Sequence, residues 1–536
     1  MKDLKKSGLM AKKGLMLGSF NGREIRLGGQ EHVFVEAPTR AGKGVGVVIP
    51  NLLDWHGSTV VLDVKHENYE KTAGYRQQEL GQQVLLFDPL NNQCKSCRYN
   101  PLGYINRSDP IEVIAELQKI GQMLYPEPKD GETFWLDSAR SAFMGIGAYI
   151  AAHDGQEGRE ELPFTIGEIY RQITRPNSKR HWHNIINERK GAAAGLSRQC
   201  RDAISDFVSS SDNTYSGIRQ TLTSRINIWV NPFLDYATSA SDFEIQELRE
   251  RPISLYLGTS PDNIEVVAPL YNLLFQQILD ITMRTLPEKG VSDIQVLLLM
   301  DEFARLGNAL NLANAFSLAA GYGIRLMPVV QSRSQLRHTY GPDKADEIIA
   351  NCGAELIFGV KEQKIADELS KRLGTYTFEA KSRNRKRWES FESSTSTSDQ
   401  RRDLMNPDEI KKMHPDNMLL FRAGTPSIKA RKLKYYESRK YSQRSEIPAP
   451  ILPVLSLSEI LSSEKGAAIA PPNDMEGGSV REWVERRFYE SKASDFMPLE
   501  DRLLWLRDNM ANTPDSEAER ENASTVINDR SKYVAG

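Results

Sequence analysis

The stretch EHVFVEAPTRAGKGVGVVIPNLL, residues 31–53, runs from an apolar strand-like piece through a turn of small residues into a second apolar piece, with a lysine at the junction. Phosphate-binding loops are built this way. Backbone N–H groups of a strand-to-helix turn cradle phosphate oxygens, and a lysine reaches the outer phosphates. Aligned on the pattern G-x-x-x-x-G-K-[ST], the loop reads Ala37, Pro38, Thr39, Arg40, Ala41, Gly42, Lys43 and Gly44, with Val45 following. Ala37 for the first glycine is a mild change. Gly44 removes the hydroxyl that ordinarily holds magnesium. From this stretch alone, a glycine-rich turn without a ligand competes with a nucleotide site.

The surrounding sequence favours the nucleotide site. HVFVEA leads into the loop, and GVGVVIPNLL can continue from it as a helix. STVVLDV and QVLLFDPL follow as short runs rich in Val and Leu, the signature of buried parallel strands in βαβ units. Far downstream VLLLMDEF ends an apolar strand in Asp301 and Glu302. In that arrangement the first acid holds Mg2+ and the second activates the attacking water. A further strand, IRLMPVVQS, ends at Gln331, where RecA-like motors place a polar residue that senses the γ-phosphate; a solvated strand end is the competing reading.

Composition sets outer limits. The chain has 536 residues, 40% hydrophobic and 26% charged, with a net charge of −2, which is ordinary globular usage and sufficient for several domains. Four cysteines, at 94, 97, 200 and 352, make no disulfide framework. Cys94 and Cys97 form a CxxC without a second half, so an incidental loop pair is favoured over zinc. His181 and His183 flank Trp182 and read as packing or surface residues. No apolar run is long enough to span a bilayer; SAFMGIGAYIAA, residues 141–152, reads as a buried helix. The basic start lacks the features of a signal peptide.

Residues 31–105 and 251–440 carry the strand-like runs, the later ones being ISLYLGTS, VLLLMDEF, IRLMPVVQS, AELIFGV and NMLLFRAGTPSIKARKLKYY. Residues 106–250 show helical spacing only. Residues 441–536 begin with Pro-rich linkers and end in an acidic extension, with 14 Asp and Glu against 9 Lys and Arg from residue 474 on. VREWVERRF and LEDRLLWLRDNM within it have the spacing of short amphipathic helices. The basic stretch KSRNRKRW, residues 381–388, and SSTSTS interrupt the sheet pattern.

Together these motifs resemble the TraG/TraD-type coupling proteins of type IV secretion and conjugation, hexameric relatives of the FtsK and HerA motors. The resemblance extends over EAPTRAGKGVGVVIPNLL, VVLDVKHENYEKTAGYR, FDPL with RYNPL, FWLDSAR, SDF at 241–243, LLLMDEFARLG, AGYGIRL, VVQSRSQL with TYG, and RRDLMNPDEI. In this family a glycine commonly follows the loop lysine. The resemblance therefore implies a working ATP and Mg2+ site in which Thr39, Arg40, Ala41, Gly42, Lys43, Gly44 and Val45 hold nucleotide. Asp301 holds the metal, Glu302 activates water and Gln331 reports the γ-phosphate.

It further implies an α/β fold: a RecA-like P-loop ATPase domain with a mostly parallel sheet flanked by helices, an all-α insertion at 106–250 and a C-terminal tail. Residues 1–30 would be a juxtamembrane segment following two membrane helices, at the cytoplasmic face of a bacterial inner membrane; the lysines at 2, 5, 6, 12 and 13 fit that place or a solvated terminus equally. The implied partners are relaxase or relaxosome with single-stranded DNA, protein substrates and adaptors, and inner-membrane secretion components. A homo-hexamer is the implied working state, and a monomer without the membrane part is compatible with it.

An arginine finger supplied in trans is expected, with Arg325, Arg305 and Arg402 as candidates. Asp63, Lys65 and Glu67 either contact nucleotide, line the pore or mark a solvated strand end. Lys381, Arg383, Arg385, Lys386 and Arg387 beside Trp388 either track a phosphate backbone or form a charged hairpin. A coupling ATPase for protein effectors only, and a docking scaffold that does not hydrolyse ATP, are the rival functions; an FtsK-type DNA pump fits the motifs less well.

Overall fold

Seven apolar runs fold into parallel strands whose carboxyl ends share one edge of a sheet. In a computed structural model that describes residues 2–455, apart from 92, 128–132, 156–160, 188–195, 288–293, 308 and 385–393, thirteen strands are described. They are β1 Leu15–Phe20, β2 Arg23–Leu27, β3 His32–Glu36, β4 Ser58–Val64, β5 Gln83–Phe87, β6 Ile253–Thr259 and β7 Val296–Asp301. The remainder are β8 Ile324–Val330, β9 Cys352–Ile357, β10 Thr375–Asn384, β11 Ser394–Asp403, β12 Asn417–Arg422 and β13 Thr425–Arg431. Eleven form one sheet in the order β2-β1-β13-β12-β9-β3-β8-β7-β4-β6-β5. From β9 to β5 all neighbours are parallel, and from β2 to β9 they are antiparallel.

Alternation along the buried strands builds two cores. Phe34, Val60, Leu62, Leu298, Met300 and Leu326 face one side, while Val33, Val35, Val61, Leu297, Leu299 and Met327 face the other. The period of two in a strand requires this division. Among the described residues every regular element between β5 and β6 is helical. Those helices do not make a core of their own, because Val113, Phe143, Ile169 and Leu222 belong to the cluster that covers the first sheet face. The apolar helix Phe134–Ala152 is buried along most of its length. An added Cβ at Gly145 would stand 2.9 Å from Ala203 Cβ, so the helix Arg198–Ser209 packs close against it. Among the described residues no helix is long and apolar enough to cross a membrane.

Two parts of the fold depart from the sequence reading. Residues 1–30, expected as a juxtamembrane segment, contain β1 and β2, which extend the sheet. β1 is stitched to the loop-bearing helix by Asn51, whose amide accepts from Met16 N–H at 2.7 Å and donates to Met16 O at 2.9 Å. The second is the interruption at 381–398, which contains parts of β10 and β11, a separate antiparallel ribbon. Lys381 and Arg383 lie on β10, whereas Arg385, Lys386, Arg387 and Trp388 lie outside the described residues, as does the extension from 456, with the stretches VREWVERRF and LEDRLLWLRDNM expected there as helices.

Candidate nucleotide site

Strand order brings the three sequence motifs together. β8 lies between β3 and β7, so the loop after β3, Gln331 after β8 and the acids at the end of β7 meet at one edge. Ligand sites in open parallel sheets form at this edge.

The loop is shaped by two left-handed residues. Arg40 has φ +66° and Gly42 has φ +81°, and the Ala41 N–H donates to Pro38 O at 2.9 Å. Alternating hands of this kind turn successive N–H groups toward one concavity, a nest for anions. Gly44 opens a π-helical turn, Gly44–Val48, which continues as the α-helix Ile49–Leu52 with Pro50 tolerated in its first turn. A Cβ on Gly44 would meet nothing, so the missing hydroxyl is not excluded by space. Thr39 and Arg40 are exposed at the rim, while Val45 is half-buried against Gly42.

Lys43 Nζ stands 2.8 Å from Asp301 Oδ1 and is also hydrogen-bonded to Glu302 Oε1. Gln331 Nε2 donates to Glu302 Oε2 at 2.9 Å, and the Thr39 hydroxyl donates to Gln331 Oε1 at 3.1 Å. The five side chains form one connected network. Glu302 has φ +66°, a strained conformation for a residue with a Cβ, and it turns the chain sharply after β7. Burial works against the charge on Lys43, but the two carboxylates hold its ammonium above the usual range. Burial pushes the Asp301 carboxyl up against the pull of Lys43. Burial opposes ionisation of Glu302 as well, yet Lys43, Gln331 and Arg305 hold it below the usual range.

A hard carboxylate oxygen at a strand tip, beside an anion nest, suits magnesium, which takes one or two carboxylates and completes its shell with phosphate and water. Asp301 supplies that donor.

The neighbouring candidates separate. Asp63 is buried, and its carboxylate accepts from Asn68 N–H at 3.2 Å and Tyr69 N–H at 2.7 Å, capping the helix Glu67–Gln78. Lys65 and His66 are left-handed, and His66 Nε2 meets Asp88 Oδ2 at 2.7 Å. Arg325 does not reach the site of its own chain. It enters β8 at the opposite edge, where its guanidinium donates to Glu31 O at 3.0 Å and Leu27 O at 3.2 Å. A residue near the start of a parallel strand lies a strand length from ligands at its end. Arg305 stands 3.9 Å from Glu302 of its own chain, and Arg402 on β11 pairs with Glu409 at 2.6 Å. Cys97 is buried behind β5, and Trp182 is buried in the helical core between His181, which meets Arg175, and His183.

Burial drives the Asp63 carboxyl up to about 7, against its two amide donors. An acid whose folded pKa is raised contributes stability that is full below the ordinary carboxylate range and is lost as pH rises through about 7. The thermal midpoint of wild type should therefore fall from pH 5 to pH 8 relative to that of Asp63→Asn. Parallel profiles for the two proteins would refute the assignment.

The family described as "Type IV secretory system Conjugative DNA transfer" matches residues 1–454. The chain belongs to this family. It is 31% identical to Protein VirD4 of Rhizobium radiobacter over 441 residues, 81% of this chain and 62% of that protein. It is 27% identical to the conjugal transfer protein TraG of Escherichia coli over 466 residues, 80% of this chain and 70% of that one. The chain thus spans about six-tenths of the length of its VirD4 relatives. Its fold matches the plasmid coupling protein TrwB in complex with ADPNP, with a TM-score of 0.59, 16% identity, and 81% and 92% of the two chains covered. It also matches TrwB in complex with ADP and Mg2+, with a TM-score of 0.56 and 15% identity. The α/β architecture expected from the motifs is that of these TrwB structures. The partner contacts in the network, Thr39 with Gln331 and Lys43 with Glu302, join residues 292 and 259 positions apart, and no local spacing signals them.

Proposed function

We propose that this chain is the ATP-hydrolysing part of a type IV coupling protein, which recruits a relaxase–DNA complex or protein substrates and drives their delivery to the secretion channel. The observation that carries the reading is the convergence of Lys43, Asp301, Glu302, Gln331 and Thr39 at one sheet edge beside the loop nest. TrwB, which shares the fold, has been captured with an ATP analogue and with ADP and Mg2+.

In this reading the loop from Thr39 to Val45 binds the phosphates and Lys43 neutralises their charge. Asp301 holds Mg2+, which when bound offsets charge on the phosphates. Glu302 takes the proton from water, and Gln331 fixes the Glu302 carboxylate through its amide. The ring is a homo-hexamer at the inner membrane, completed by an arginine from the adjacent subunit. The helical segment 106–250 is its face toward substrates and adaptors, the segment 31–105 with 251–440 is the motor, residues 441–455 pack onto that motor through Arg444 and the buried Tyr441, and residues 456–536 are an appended extension.

The test is the ATPase rate against protein concentration, with and without single-stranded DNA, for wild type and Lys43→Ala. A rate that rises more steeply than concentration, responds to DNA in a salt-dependent way and falls about 100-fold or more in the variant supports the motor. Wild type as inactive as the variant, at concentrations where hexamers are seen, would replace it with a docking scaffold.

A further inference from the structure

Beneath the phosphate loop lies a buried cation that the motifs do not include. Lys432 follows β13, 391 residues from the loop, and is 4% exposed. Its Nζ donates to Ala41 O at 2.9 Å and to Phe358 O at 3.2 Å, and stands 4.5 Å from the centre of the Phe358 ring. Phe358 in turn lies where a Cβ on Gly46 would be 3.2 Å from its ring, so the aromatic floor is tight against the helix that opens after Lys43.

Three features set this ammonium apart from a packing residue. Its partners are both carbonyl oxygens. Among the described residues it joins no ion pair, since the nearby Asp416 is engaged by Lys434 at 2.6 Å. A buried charge met only by dipoles is costly unless an opposite charge comes near. Finally, Ala41 is the residue between left-handed Arg40 and Gly42. Holding its carbonyl toward the floor sets the plane of the Ala41–Gly42 peptide, and turns the Gly42 N–H, trans to that carbonyl, away from the floor.

We propose that Lys432 is a positioning residue for nucleotide: it holds the Ala41 carbonyl on the floor side of the loop, and its charge is balanced by the phosphates bound on the other side. The inference rests on the reading of the loop as an ATP site. The charged groups facing Lys432 are Asp416, which favours its ammonium, and Lys434, which opposes it; Ala41, Gly46 and Phe358, which pack on it, do not titrate. Burial, the largest influence, brings the ammonium down to about 8. Phosphate charge would raise it again, so binding takes up a proton above that pH. The affinity for nucleotide should be full below about pH 8 and decline above it. The phosphate's own titration, near 6, lies outside this window.

The experiment is binding of a fluorescent ATP analogue with Mg2+ to wild type and Lys432→Met between pH 7 and 9.5, beside thermal midpoints without nucleotide. Wild type should bind about tenfold more tightly than the variant at pH 7. Its affinity should fall with pH, whereas that of the variant stays flat; in turnover the loss should appear in KM with kcat within about twofold. Equal affinities in two folded proteins, or a variant whose pH profile parallels that of wild type, overturn the proposal. Should the variant fail to fold, a wild-type affinity unchanged from pH 7 to 9.5 overturns it as well. Wild type that does not bind the analogue at any pH would instead refute the ATP site itself.

Discussion

Glu302→Gln should slow ATP hydrolysis by about 10²–10⁴-fold, the contribution of a positioned general base, while nucleotide affinity stays equal or increases. The first half follows from placement. The Glu302 carboxylate is ionised, held below its usual range chiefly by Lys43, and oriented by Gln331 at 2.9 Å. A glutamine keeps the shape and the hydrogen bond to Gln331 but cannot take a proton. The second half follows from competition. Lys43 is bonded to both Asp301 and Glu302, and an ammonium that serves two carboxylates has to exchange partners before it serves phosphates. Removing one negative charge loosens Lys43 and lowers the cost of that exchange. The measurement is a pair of titrations, equilibrium binding of ATP with Mg2+ and single-turnover hydrolysis, on the same preparation. Loss of binding parallel to loss of rate would mean that Glu302 supports the loop rather than the water. Asp301→Asn should behave differently, because it removes the donor that suits the metal, and binding should weaken with it.

That contrast shows what the sequence makes legible. The loop, the Asp301–Glu302 pair and Gln331 each end an apolar run, and a buried parallel strand reads as such a run whatever lies beside it. β3 to β9 were all visible for this reason. β1 and β2 were not, since REIRL alternates polar and apolar residues on an edge strand and LMLGSF is short and follows a basic start. Only the long-range pairing of Ser19 with Arg431 makes them part of the sheet. The ribbon β10–β11 was hidden differently, by lysine, arginine and serine positions that carry little apolar signal. Arg325, a candidate for the finger supplied in trans, is buried in its own chain on Glu31 O and Leu27 O, contacts that its place in the sequence does not mark. Contacts such as Lys432 with Ala41 join segments 391 residues apart, and one sequence carries no local mark of them.

One long-range contact of this kind should dominate stability near the loop. Arg333 follows Gln331 by two residues and is 4% exposed. Its Nε donates to Glu36 Oε2 at 2.8 Å, its backbone N–H to Glu36 Oε1 at 3.3 Å, and its NH2 group to Glu355 Oε2 at 2.8 Å. Arg372 closes the group on Glu355 at 2.7 Å. Glu36 is the last residue of β3, directly before the phosphate loop, and burial pushes its carboxyl up despite Arg333. Arg333→Met would leave that carboxyl buried without a cation, a loss of about 3–5 kcal/mol. Glu36→Gln with Arg333→Met removes both members of the pair and should recover more than half of the loss, since the penalty lies in the unpaired charge rather than in the missing attraction. Thermal and urea unfolding of the single and double variants would measure this. A single variant within about 1 kcal/mol of wild type, or a double variant no more stable than Arg333→Met, would show that the network is peripheral. With the expected result, the residue after Ser332 is what keeps the end of β3, and with it the loop that follows, in register with the strand that presents Gln331.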